Sequence, residues 1–101
     1  MEDRELLEMA VKACGGKVLS RNDFGDLYQI GEKQLFWAPL DDDGDAFRLA
    51  GTLGFAVDFG SGIIICGDDI GDEVEFENPS DLANVRRAIV RAAAEIGKAM
   101  P

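Results

Sequence analysis

The chain has 101 residues, 47% of them hydrophobic and 30% charged, with a formal net charge of -10 and an isoelectric point near 4.2. That length suits a single domain over residues 1–101 that buries a core without obligatory disulfides or metals, and the hydrophobic content excludes a disordered chain. The acidity argues against partners that are themselves anionic, so neither direct nucleic-acid binding nor attachment to a lipid surface is expected.

The first predicted element is a helix over residues 2–14, where Leu6, Ala10 and Ala13 and then Leu7, Val11 and Cys14 recur at three- and four-residue spacing before Gly15-Gly16. Residues 17–20 read as a strand, and Asn22-Asp23-Phe24-Gly25-Asp26 as a turn. Leu27 to Ile30 and Lys33 to Trp37 are the next two strands, joined by Gly31-Glu32, a two-residue connection of the type II′ form. A second helix is predicted from about residue 43 to 53, with Ala46, Leu49, Ala50 and Leu53 as its apolar stripe and Gly54 as its stop.

Phe55, Val57 and Phe59 alternate with Ala56 and Asp58 as in a half-buried strand. Ile63 to Cys66 lacks polar alternation, which predicts a central strand covered on both faces. Residues 67–72 read as a loop, and Val74 and Phe76 between Glu73, Glu75 and Glu77 as a strand with one apolar and one acidic face. The last helix spans 81–99, with Leu82, Val85, Ile89, Ala92, Ala93, Ile96 and Met100 in one arc and Arg87, Arg91 and Lys98 nearly opposite. The order is helix, three strands, helix, three strands, helix. It predicts an α+β fold in which one antiparallel sheet of five or six strands packs against three helices.

Charge is uneven along this order. Residues 41–81 hold twelve acids against Arg48 alone, whereas residues 82–101 carry a net of +3. Asp41-Asp42-Asp43-Gly44-Asp45 invites comparison with a calcium loop, but with Gly44 at the sixth place the first and twelfth fall on Pro39 and Ala50. With Gly71 there, the first and fifth fall on Cys66 and Ile70. Neither frame supplies the ligands. The aspartates are instead expected to begin the second helix, where a side-chain oxygen caps exposed N–H groups and negative charge favours the dipole. Trp37 and Pro39 are then structural anchors at a corner, and Arg48 pairs with an acid at helical spacing such as Asp45.

Catalytic chemistry has little to draw on. Histidine is absent, which removes the commonest general base and every nucleophile–histidine arrangement. Cys14 and Cys66 sit far apart among apolar or small neighbours and read as buried thiols in a reducing compartment; two thiolates do not make a zinc site. The opening Met-Glu-Asp-Arg-Glu is not that of a signal peptide, and Ile63 to Cys66, the longest apolar run, is too short to cross a bilayer. No cofactor or metal is expected, and the location expected is the cytoplasm.

Trp37 to Ala50, with Arg4-Glu5-Leu6-Leu7-Glu8-Met9-Ala10 and Arg86-Arg87-Ala88-Ile89-Val90-Arg91-Ala92-Ala93-Ala94-Glu95-Ile96-Gly97, resembles a family of small proteins encoded by tailed phages and prophages of Gram-negative bacteria. The family reads Trp-Asn-Pro-Leu-Thr-Asp-Asp-Gly-Asp where this chain has Ala38 and Asp41 in place of the Asn and Thr. The resemblance implies a phage or prophage origin and action in the host cytoplasm, and it carries no activity and no functional residues. The function expected is that of a non-enzymatic accessory protein binding a host or phage protein. Its candidate contact is an acidic surface of Asp41, Asp42, Asp43, Asp45, Glu73, Glu75 and Glu77. One alternative is a self-associating module, in which Arg87, Arg91 and Lys98 of one copy meet the acidic strand of another as a homodimer. The other is a small carboxylate-based or metal-dependent enzyme.

Overall fold

The computed structural model describes residues 2–23, 25–66 and 73–100. They form α1 (Asp3–Ala13), β1 (Lys17–Ser20), β2 (Leu27–Ile30), β3 (Lys33–Phe36), α2 (Asp43–Leu53), β4 (Ala56–Asp58), β5 (Ile63–Ile65), β6 (Glu73–Glu75) and α3 (Leu82–Ala99). The class is α+β, in the element order expected. The loop predicted over 67–72 lies outside the described residues, as does Phe24 of the first turn.

The strands do not join into the single sheet of five or six strands that was expected. They form two separate three-stranded antiparallel sheets, β1-β2-β3 and β4-β5-β6, each a meander in chain order. Each strand pairs with its sequence neighbour through a short connection, and the one long connection, between β3 and β4, is occupied by α2. Charge on the outer strands opposes further pairing: Lys33 stands exposed on β3, and Glu73 and Glu75 on β6.

Local chemistry sets the turns. Gly31 has φ +63° while Glu32 does not enter the left-handed region, as a type II′ hairpin requires, and Ile30 pairs directly with Lys33. Between β4 and β5, the Asp58 carboxylate accepts the Ser61 N–H at 3.0 Å, and Gly62 at φ +68° lies so close to β6 that a Cβ there would stand 2.8 Å from the Phe76 carbonyl oxygen.

The long helix α3 is the hub. It packs against α1, α2, β5 and β6, and its buried residues run well beyond the predicted arc, adding Ala88, Val90, Ala94 and Gly97. Leu82 and Met100, placed in that arc by periodicity, are each 39% exposed, because the neighbours of α3 cover its middle and leave its ends open. Gly97 allows the closest approach: a Cβ built there would fall 1.8 Å from the Met9 carbonyl oxygen of α1.

Strand burial also departs from the alternation. β5 is central in its sheet, but only Ile64 is fully buried, since α3 covers one face and leaves Ile63 and Ile65 half-buried on the other. Phe59, expected to point inward, is exposed and meets Phe76 edge-on at 6.4 Å, because β4 ends at Asp58 and the turn begins there. Cys14 and Cys66 are half-buried, not buried, and no disulfide joins them; burial nevertheless pushes the Cys14 thiol up.

Candidate functional site

The acidic corner is built from Trp37 onward. Trp37 is buried just past the end of β3, Pro39 is fully buried, and the Asp41 and Asp42 N–H groups both donate to the Ala38 carbonyl oxygen, at 3.0 and 2.8 Å. Asp42 is the N-cap of α2, its carboxylate accepting the Asp45 N–H at 2.8 Å. At the other end Gly54 closes the helix in the left-handed conformation, φ +72°.

Asp45 is only 9% exposed and its two oxygens are both engaged. One accepts the Ala38 N–H at 3.0 Å, which ties the corner to the helix, and the other receives Arg48 at 2.7 Å, one turn further on. Asp43 receives the Arg86 guanidinium of α3 at 2.6 Å, while Arg86 Nε donates to the Leu40 carbonyl at 2.9 Å. Sequence reasoning missed Arg86. Its neighbour Arg87 belongs to the cationic stripe, yet Arg86 turns inward and clamps the corner to α3 with a planar fork that fits both acceptors.

These contacts divide the acidic surface expected from sequence. Asp42, Asp43 and Asp45 take part in holding the fold, although the Asp42 and Asp43 side chains remain about half exposed. Asp41 is exposed with no side-chain hydrogen bond or ion pair among the described residues, and so are Glu73, Glu75 and Glu77. Asp41 lines a pocket at the corner whereas the glutamates line a different groove, and the two share no residue.

The glutamates stand on the second sheet. Register places Ala56, Ile65 and Glu73 in one cross-strand row and Asp58, Ile63 and Glu75 in the next, all on the face turned away from Ile64 and α3. The result is a pair of half-buried isoleucines flanked by three carboxylates. Asp58 is held below its ordinary value by the Ser61 N–H, so it stays ionised across the neutral range. Between β6 and α3 runs an open groove of about 890 Å³, lined on one side by Glu73, Glu75 and Glu77 and on the other by Arg87 and Arg91. Arg87 reaches Asp3 of α1 at 2.8 Å, and Arg91 has no ion pair among the described residues.

Among the described residues no group of three or more acids or cysteines is arranged to hold a metal ion, and no helix is long and apolar enough to cross a membrane. No protein-family model, curated protein or solved structure matches the chain.

Proposed function

We propose that this chain is a phage- or prophage-encoded accessory protein that acts by binding a basic surface of another host or phage protein, with the outer face of the second sheet as its contact. The observation that carries this reading is the face itself: Ile63 and Ile65 half-buried at its centre, Asp58, Glu73 and Glu75 around them, and no cation paired with any of the three among the described residues. An apolar centre inside a charged rim is the anatomy of a protein contact, and a carboxylate rim selects lysine- and arginine-rich partners, including surfaces that otherwise receive phosphates. The origin rests on the likeness of the Trp37–Ala50 segment and of the two terminal helices to phage-encoded sequences. The corner aspartates are left out of this contact because Asp42, Asp43 and Asp45 already bond to α2 and α3 and Asp41 lines a different concavity from the glutamates.

The test is capture of a partner from host lysate on immobilised protein, followed by a salt titration and a charge-reversal pair, Glu73→Lys and Glu75→Lys. Raising the salt to about 1 M shortens the screening length to about 3 Å and should release the partner. The double variant should fail to capture it while melting like the parent, because both side chains are exposed. A partner retained by the double variant, or indifferent to salt, contradicts the reading. Light scattering at high protein concentration tests the homodimer separately.

A further inference from the structure

β6 is an edge strand, and among the described residues no strand pairs with its outer side. The Phe76 N–H donates to the Gly62 carbonyl at 2.8 Å, in line with the register that sets Glu75 opposite Ile63, Val74 opposite Ile64 and Glu73 opposite Ile65. Hydrogen-bonded positions alternate along an antiparallel pair, so Val74 is the next residue whose N–H and carbonyl face β5. Glu73 and Glu75 turn theirs the other way. Each therefore presents one donor and one acceptor along the free edge, a template for a further strand. The edge is open, since it forms one wall of the groove whose opposite wall is α3.

Charge on the two walls sets what such a strand must carry. A residue directly across from Glu73 or Glu75 puts its side chain on their face of the sheet, about 5 Å away between Cβ atoms, and lysine or arginine there makes the favourable pair. The residue between those two points to the other face, where the helical stripe of Asn84, Arg87 and Arg91 lines the groove, and an acid there meets a guanidinium. Arg87 is already engaged by Asp3 at 2.8 Å, but Arg91 is exposed and has no ion pair among the described residues. A second β6 is refused, because it would set glutamate against glutamate. The chain contains no triplet of cation, acid and cation, so the occupant is a segment of another protein.

We propose that the free edge of β6 takes an extended segment of another protein as a fourth, antiparallel strand, with lysine or arginine opposite Glu73 and Glu75 and aspartate or glutamate between them, toward Arg91. The inference rests on the protein-binding reading given above and specifies how the partner is held. Main-chain bonds to Glu73 and Glu75 hold an extended peptide of any sequence, and the alternation of charge selects among sequences. The cationic side chains run beside Ile63 and Ile65 on the outer face of the sheet while the acid enters the groove, so one short segment reads both walls.

The probe is a blocked Thr-Lys-Glu-Lys-Glu-Lys-Thr peptide, titrated into the full chain at about 0.1 M salt and followed by backbone amide shifts and hydrogen exchange. Saturation below about 1 mM is expected, with exchange at the Glu73 and Glu75 amides slowed by about tenfold or more and exchange at Val74, already paired with Ile64, changed little. Backbone N-methylation of the lysines should abolish binding, because their N–H groups are the ones that meet β6, whereas methylation of the two glutamates should leave it. Arg91→Glu, at an exposed position, should weaken this peptide by about threefold or more and strengthen an all-lysine peptide. The proposal is overturned if the peptide does not saturate by about 1 mM, if the lysine-methylated peptide binds as the unmethylated one does, if the slowed amides are not those of Glu73 and Glu75, or if Arg91→Glu leaves the preference unchanged. Such a failure, with a lysate partner still released by salt and lost in the Glu73→Lys and Glu75→Lys variant, removes strand addition alone and leaves protein binding by the sheet face standing.

Discussion

The approach of α1 to α3 at Gly97 makes a strong prediction about stability. Replacing an interior helical glycine with alanine ordinarily stabilises a helix by about 1 kcal/mol, since alanine loses less backbone freedom on folding. In Gly97→Ala the new methyl would stand 1.8 Å from the Met9 carbonyl oxygen and 2.7 Å from the carbonyl carbon, both of them backbone atoms that cannot rotate away. Ordinary contact begins at 3.4 Å, so the two helices must part by about 1.6 Å at this point. A gap of that size forfeits much of the dispersion contact along the interface, and overpacking alone costs about 1–3 kcal/mol. The net expectation is a loss of about 2 kcal/mol after the helical gain is offset, a drop in melting temperature of about 10 °C. Gly51→Ala is the internal control. Gly51 lies exposed in α2 with nothing within 4 Å of its built Cβ, and the same substitution there should stabilise by about 0.5–1 kcal/mol. Thermal and urea unfolding of the two variants and the parent, followed by far-ultraviolet dichroism, give the comparison. If Gly97→Ala matches Gly51→Ala in sign, the close packing of α1 on α3 is refuted.

Asp45→Ala should destabilise by about 1–3 kcal/mol, because the Ala38 N–H then loses its acceptor in a partly buried corner; a urea midpoint unchanged from the parent would contradict that role. Arg86→Lys should cost more than Arg48→Ala, although it keeps its charge, since a lysine cannot serve Asp43 and the Leu40 carbonyl together and Arg48 is mostly exposed. Unfolding midpoints of the two variants decide this. Tyr28 has a folded-state pKa above its ordinary 10.0, so its contribution to stability is complete below pH 10 and is lost as pH rises through the folded value. The parent should accordingly lose more stability than Tyr28→Phe between about pH 9 and pH 11, and parallel losses would refute the burial of that phenol.

What the chain discloses locally and what it withholds follow from the range of the interactions. The bounds of α2 are legible because Asp42 and Gly54 signal both of its ends within a few residues, and the β2–β3 hairpin is legible because Gly31 needs a conformation that few other residues adopt. The division into two sheets is not, since it depends on which strand edges remain unpaired, a choice made across the whole molecule. The fate of the acidic corner was hidden for the same reason. Asp43 reads as a surface carboxylate until α3, more than forty residues later, delivers Arg86 to it. Helical periodicity likewise treats Gly97 as an ordinary position near a helix end, because the carbonyl that forbids a side chain there belongs to α1. At the candidate contact, alternation along β6 correctly put Glu73 and Glu75 on one face. It said nothing of Ile63 and Ile65 beside them, which only strand register supplies.

The position of the hub at the close of the element order has a consequence for biosynthesis. A ribosome makes α1 well before α3, but the surface that shelters Leu6, Ala10 and Val11 comes from residues beyond 81, as does the cover over Ile64. Until those residues leave the exit tunnel, two small meanders and two short helices carry their oily sides uncovered, each too slight to persist alone. Premature termination before α3 should thus yield fragments fit for proteolysis instead of a smaller working version of the molecule.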